Sequence, residues 1–326
     1  MSKELDTDRL EVFARSAVAE HGLPDAELTL LNVSENATYQ VDAGDGRRFA
    51  LRVHRPGYHS KDAIASELAW IQALRDDDVV RTAPVIATPD GRQIVTGVHP
   101  DGDERFAVAF GWLEGTEPPE DRLVADFAKV GAITARLHRH SRNWSKPAGF
   151  TRLRWDCDTA LGAEGHWGRW QDGMGMGAGE IEVLSRSASL VQRRLAAFGD
   201  GPDRFGLIHA DMRLANLLVD GPDVSVIDFD DCGFSWYLYD LGSSLSFIEH
   251  HPVVPELIDS WVRGYLTEGT LTSDEIAELP TFVMLRRMLL VAWVGSHAEV
   301  PEAQRMGPEF TAVSCDLAEA YLAKFG

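Results

Sequence analysis

The chain has 326 residues and a formal charge of −20, from 51 acidic against 31 basic side chains. That length is ample for a well-buried core in one large domain or two, and the charge argues against nucleic acid as a partner while permitting a cationic ligand. With 44% hydrophobic and 25% charged residues, the composition is ordinary for a globular protein. Cys157, Cys232 and Cys315 are too few and too scattered for a disulfide framework, and no C-x-x-C suggests zinc. The start, Met1-Ser2-Lys3-Glu4-Leu5-Asp6, lacks the basic and apolar blocks of a signal peptide, and the longest apolar run, 288–295, is too short to cross a bilayer. A cytoplasmic protein with no membrane partner is expected.

In chain order, residues 6–21 place Leu10, Phe13, Ala14, Ala17 and Val18 on one helical face, and Gly22-Leu23-Pro24 stops that helix. Strand patterns follow over 28–33, 37–41 and 49–53, with a tight turn at 42–46 joining the last two. Residues 62–74 form a helix with Ile64, Leu68, Ile71 and Leu74 on one stripe. Further strands are expected over 93–98 and 106–112, separated by a turn at Pro100-Asp101-Gly102-Asp103. Pro118-Pro119 marks a crossing into mostly helical sequence. There 123–140 carries Val124, Phe127, Val130, Ile133 and Leu137 at helical spacing, and 180–198 is helical again. Between those two helices, 144–179 is rich in Trp, Gly and Asp without a sustained period, and reads as an irregular insertion. Later helices start near Leu241, Pro255, Asp274 and Pro308. The expected fold class is α+β, with a small sheet-containing part over 1–113 and a mostly helical part over 114–326. No internal repeat or low-complexity tract appears.

The chemistry concentrates in Leu207-Ile208-His209-Ala210-Asp211-Met212-Arg213-Leu214-Ala215-Asn216 and Val226-Ile227-Asp228-Phe229-Asp230-Asp231. Phosphoryl transfer needs a carboxylate to take the acceptor hydroxyl's proton and oxygen ligands that hold Mg²⁺ on the phosphates. Asp211 suits the first task; Asn216 and Asp228 suit the second. Arg213, between base and metal ligand, either reaches a transferring phosphate or lies exposed. His250-His251 and His138-x-His140 show no convergent third ligand and read as structural or exposed.

These segments resemble the catalytic and metal loops of the aminoglycoside phosphotransferase and choline kinase superfamily. With Glu35-Asn36-Ala37-Thr38-Tyr39, Ile227-Asp228-Phe229-Asp230-Asp231 and Tyr239-Asp240-Leu241, the chain is most similar to the branch of type II homoserine kinases, hydroxylysine-kinase-like proteins and the bacterial stress-response kinase. The resemblance runs from about Leu28 to about His297. It implies a protein-kinase-like two-lobe fold with ATP and Mg²⁺ as cofactors. It further implies a phosphate-covering loop at Ser34 and Asn36, and a third-strand base at Arg52 where most of the superfamily carries lysine. Glu67 would be the ion-pair partner of Arg52, and Trp112 and Leu113 would line the adenine pocket. By the same resemblance, His209 packs and orients the catalytic loop, and Asp240 braces that loop or caps a helix.

For the acceptor, the insertion offers Trp155, Asp156 and Asp158, a mix suited to a small cationic ligand stacked on an indole, or equally to tryptophans that pack the insertion onto the helical part. The expected activity is ATP- and Mg²⁺-dependent transfer of the γ-phosphate to a hydroxyl of a small molecule: an amino alcohol, hydroxy amino acid, amino sugar or aminoglycoside. A protein Ser/Thr kinase of the stress-response type is the alternative, so a protein substrate stays open. The segment between Asp228 and Asp240 holds no recognisable activation segment, which favours a small molecule. A nucleotide-binding regulator without catalysis is the third reading, and the presence together of Asp211, Asn216 and Asp228 argues against it.

Overall fold

A computed structural model describes residues 7–33, 36–98 and 102–326. The chain divides into two compact units, one of residues 1–114 with 146–151 and one of 115–145 with 152–326. Ser34 lies outside the described residues.

The first unit begins with α1 (Thr7–Glu20), then β1 (Glu27–Val33), β2 (Ala37–Asp42) and β3 (Arg48–Val53). α2 (Lys61–Asp76), β4 (Val85–Ile86), β5 (Val95–Val98) and β6 (Glu104–Gly111) complete it. The strands pair antiparallel in the order β1-β2-β3-β6-β4, with β5 also on β6. Alternation along β2 and β3 turns Tyr39, Val41, Phe49, Leu51 and Val53 into a core with Phe13, Ala14, Ala17 and Val18 of α1. α1 can approach β5 because Gly97 has no side chain there; a Cβ at that position would lie 2.8 Å from the Phe13 ring. α2 starts at Ser60, whose hydroxyl accepts from the Ala63 amide, and has Asp62 in its first turn and Arg75 in its last. The two-residue β4 has no counterpart in the strand pattern of the sequence.

The second unit contains α3 (Leu123–Asn143), β7 (Leu153–Arg154), α4 (Cys157–Leu161), α5 (Ala178–Phe198) and β8 (Phe205–Ile208). β9 (Leu217–Asp220), β10 (Asp223–Val226), β11 (Gly233–Trp236) and α6 (Tyr239–Ser244) follow. α7 (Val254–Glu268), α8 (Ser273–Ser296) and α9 (Pro301–Phe325) end it, the last kinked at Gly307-Pro308. α9 therefore starts before the expected Pro308, which marks the kink instead. The 144–179 segment is largely irregular as expected, broken only by β7, α4 and a short 3₁₀ turn. α3 and α7 pack at backbone distance, since a Cβ on Gly131 would sit 2.0 Å from the Trp261 carbonyl oxygen and one on Gly264 1.8 Å from that of Ala128. α8 is the one described helix long and apolar enough to cross a membrane, with a mean hydropathy of 1.3, yet 78% of that apolar stretch is buried in the protein. It is the central core helix of this unit.

Candidate active site

In the first unit, register puts Arg52 opposite Thr38 on one side and Val108 on the other, in the middle of the sheet. Its side chain leaves the apolar face and meets Glu67 on α2. Nη2 donates to Oε1 at 2.6 Å and to Oε2 at 2.7 Å, with both side chains buried. A buried guanidinium without that carboxylate would be strongly disfavoured, so α2 and β3 are locked together through the pair. The guanidinium also lies 5.0 Å from the Phe110 ring centre. Asn36, at the end of the β1–β2 connection, accepts the Arg55 amide on Oδ1 at 3.0 Å. Trp112 follows β6, with the Arg48 guanidinium 5.4 Å from its ring and a buried indole N–H that has no partner among the described residues. Leu113 beside it is half-buried.

In the second unit, the chain leaves β8 through His209 and Ala210, whose φ of 68° lies in the left-handed region. An alanine there is strained and must be held by its surroundings. The Asp240 carboxylate does this, accepting the Ala210 amide at 2.7 Å and the His209 amide at 3.3 Å, while Ser243 Oγ accepts the Met212 amide at 3.0 Å. Asp240 is positioned in turn by His138 of α3, whose Nε2 is 3.0 Å from Oδ2. A carboxylate only accepts, so Nε2 carries the proton and Nδ1 accepts from the Tyr265 hydroxyl at 3.0 Å. Burial holds the His138 pKa below the ordinary histidine value, although Asp240 pulls it up. Burial likewise pushes the Tyr265 phenol up to about 12, so it remains a donor.

Asp211 emerges from this kink only 14% exposed. Its Oδ2 accepts from Asn216 Nδ2 at 2.7 Å, its Oδ1 accepts from Arg286 Nη2 at 2.6 Å, and Arg213 Nε lies 3.5 Å from Oδ2. Arg213 is 21% exposed, with Nη1 3.6 Å from Glu302 of α9. His209 does not offer itself as a base. Its Nδ1 accepts the Asp211 amide at 3.2 Å and its Nε2–H donates to the Ile227 carbonyl at 3.2 Å, tying the catalytic loop to the strand that leads to Asp228.

Asn216 and Asp228 meet through the β9–β10 hairpin. Leu217 pairs with Val226, and the next step outward is the Ile227 amide bonded to the Asn216 carbonyl at 3.0 Å. The two candidate ligands thus flank the open end of one hairpin. With Nδ2 committed to Asp211, the Oδ1 of Asn216 faces away from that carboxylate, and Asp228 adopts a φ of 59°, a conformation aspartate tolerates. Two hard oxygen donors so placed fit a divalent cation of the magnesium or calcium kind. The buried Arg152 anchors the following turn by donating to the carbonyls of Asp230 and Cys232.

In the insertion, the structure gives the acceptor candidates packing and capping partners of their own. Trp155 is 1% exposed, donates its indole N–H to the Asp231 carbonyl at 2.8 Å and packs edge-on against Trp167, so it has no open face for a ligand. Asp156 caps α4, its Oδ1 accepting the amides of Asp158 and Thr159, while the Thr159 hydroxyl reciprocates at the Asp156 amide. Burial acts to raise its pKa, but the Thr159 amide and Arg154 outweigh it and hold it below the usual carboxylate range. Asp158 is exposed in the first turn of that helix. The spacing Asp156-x-x-Thr159 is a reciprocal capping signal that explains these residues without a ligand. Arg286 is the group that sequence reasoning passed over. It lies beside the apolar run of α8 and carried no motif.

A profile of the phosphotransferase enzyme family, APH, matches residues 28–279. The chain belongs to that family. It is an ATP-dependent phosphotransferase with the fold shared by aminoglycoside phosphotransferases and choline kinases. A solved microcompartment-associated aminopropanol kinase is 47% identical, covers 97% of this chain and 98% of its own, and superposes with a TM-score of 0.90. The amicoumacin kinase of Bacillus subtilis (strain 168) is 24% identical over 286 residues, 84% of this chain and 81% of that protein. The structure of the amicoumacin kinase hAmiN with AMP-PNP, Ca²⁺ and Ami has a TM-score of 0.76 at 21% identity, covering 94% of this chain and 96% of its own.

Proposed function

We propose that this enzyme transfers the γ-phosphate of ATP to the hydroxyl of a small amino alcohol, with Asp211 as the base and Asn216 and Asp228 as the protein ligands of Mg²⁺. The observation that carries the reading is the Asp211 carboxylate held at both oxygens, by Arg286 and by the Nδ2 of Asn216, with Asn216 joined through the Ile227 amide to the strand end that leads to Asp228. The choice of acceptor rests on the similarity to the aminopropanol kinase, and the formal charge of −20 permits a cationic ligand.

Mg²⁺, when bound, would offset the triphosphate charge. Arg52, steadied by Glu67, offers a fixed guanidinium to the phosphates, and Asn36, Trp112 and Leu113 are the remaining nucleotide candidates on the first unit. The acceptor oxygen bonds to the γ-phosphorus as the bond to the β–γ bridging oxygen breaks. ADP leaves with that electron pair, and Asp211 takes the hydroxyl proton late in the step. Arg213, 3.5 Å from Asp211 Oδ2, would meet charge on the transferring group. With the insertion occupied by packing, acceptor contacts belong nearer Arg213 and Glu302, where a carboxylate can face an ammonium. Three free cysteines suit a reducing cytoplasm.

The test is coupled ADP release with Mg²⁺ and ATP against short amino alcohols, hydroxy amino acids, aminoglycosides and a mixed Ser/Thr peptide pool. Saturable turnover of the amino alcohols, with product phosphate on the hydroxyl, is expected. Turnover of the peptides alone would make the enzyme a protein kinase, and turnover of aminoglycosides alone would make it a resistance-type enzyme.

A further inference from the structure

We propose that Arg286 is the positioning residue of the phosphoryl-transfer base, clamping the Asp211 carboxylate from beneath. The inference rests on the reading of Asp211 as that base. Arg286 projects from α8, a helix otherwise filled with core residues, and is only 2% exposed. All three of its nitrogens are used. Nη2 donates to Asp211 Oδ1 at 2.6 Å, Nη1 lies 3.3 Å from the Tyr239 hydroxyl and 3.5 Å from the Ala210 carbonyl, and Nε donates to Ser246 Oγ at 2.9 Å. The Trp167 ring lies 5.1 Å from the guanidinium carbon. Burial opposes the charge, but the Tyr239 hydroxyl and the Asp211 carboxylate outweigh it and keep the guanidinium firmly protonated.

This geometry does more than neutralise a buried cation. Asn216 holds Asp211 Oδ2 and Arg286 holds Oδ1, so two donors from separate elements fix the plane of the carboxylate. The Ala210 carbonyl that Arg286 reaches belongs to the strained residue immediately before the base, so one side chain steadies both the base and its kink. A planar fork can hold such an arrangement where a single ammonium cannot. Its neighbour Arg287 points elsewhere: Nη1 donates to Glu249 at 2.8 Å, Nε to Ser314 Oγ and Nη2 to the Phe310 carbonyl. Arg287 is thus a control within the same helix, equally buried and remote from the base.

The experiment measures kcat and both KM values for Arg286→Gln, Arg286→Lys, Arg287→Lys and Asp211→Asn, and for the double variant Arg286→Gln/Asp211→Asn. Arg286→Gln should lower kcat by about 100-fold, the scale of a misplaced catalytic group, with KM for ATP within about threefold of the parent. Arg286→Lys should recover part of the lost kcat. In the Asp211→Asn background, Arg286→Gln should cost less than about threefold more, because residues acting through one another are not additive. A folded Arg286→Gln with parental kcat, a loss of the same size in Arg287→Lys, or a full additional loss in the double variant would each overturn the proposal. Asp211→Asn with parental turnover would overturn the assignment of the base and this proposal with it, an outcome distinct from the other three.

Discussion

Asn216 gives its Nδ2 protons to the Asp211 carbonyl and carboxylate, and in the proposed reading its Oδ1 would take a cation, a pairing that would make the amide hard to replace by aspartate. Asp228 is the charged member of the proposed pair, and its left-handed backbone narrows the useful substitutions. Alanine would add about 1–2 kcal/mol of backbone strain, whereas asparagine tolerates that conformation and removes only the charge. Asp228→Asn should therefore fold normally and lose at least about tenfold, roughly 1.4 kcal/mol, of the gain in ATP affinity that Mg²⁺ confers. Calorimetric ATP titrations with and without Mg²⁺ check this, and an undiminished Mg²⁺ effect in the variant would mean the ion is held elsewhere. Asp211, Asn216 and Asp228 stand out in the sequence as candidates because a 3₁₀ turn and one tight hairpin link them, and such local geometry is written in short-range spacing. Arg286 was not readable, since its partners come from distant parts of the chain and its own surroundings in the sequence look like core.

At the scale of elements, helix periodicity was legible wherever one face meets a core. α1, α2 and α3 match their apolar stripes, and α5 covers the helix expected over 180–198. α9 was shortened in the reading because Pro308 looks like a start signal, although in the fold Gly307 takes a φ of 54° and the helix resumes after the kink. The insertion misled for a different reason. Tryptophans and aspartates in an aperiodic stretch suit a ligand site or a packed, capped loop equally well, and only burial of Trp155 separates the two. α3 and α7 approach closely, where glycines at 131 and 264 let backbones touch. Gly264→Ala should destabilise the enzyme by about 1–3 kcal/mol or more through overpacking against the Ala128 carbonyl. Denaturant unfolding measures the loss, while alanine at the uncrowded Gly179 of α5 should cost no stability. Equal stability of the two variants would mean α3 and α7 part without cost.

For the molecule as a whole, the buried His138–Asp240–Tyr265 group links α3, the catalytic-loop kink and α7, and it makes stability depend on pH. His138 is faced by the Asp240 carboxylate, the Tyr265 hydroxyl and the Tyr237 ring, on whose face the Arg142 guanidinium lies. Its pKa is lowered by burial in the folded state, so as pH falls through about 6.5 the unfolded chain binds a proton that the folded one refuses. Stability then declines with acidification, by up to about 1.4 kcal/mol per pH unit, until the folded-state pKa is reached. Tm should fall between pH 7.5 and 5.5, and His138→Gln, less stable at pH 7.5, should show a shallower decline over that interval. An identical slope in the variant would remove His138 as its source; His21, also lowered by burial, adds a term common to both proteins.

What the sequence determined by itself was the family, the order of sheet and helices, and the spacing of the candidate base and candidate metal ligands, because each depends on periodicity or on contacts a few residues apart. What tertiary structure decided was which charges are buried and against what. Arg286 and Arg287 are adjacent in the chain, yet helix geometry turns one toward Asp211 and the other toward Glu249. Asp240 could have capped a helix, but the arrival of His138 from α3 and the kink at Ala210 make it the brace of the catalytic loop. A charge leaves the same mark in a sequence whether it ends in solvent or under an active site; the difference lies in partners supplied by distant segments, and those exist only once the chain has folded.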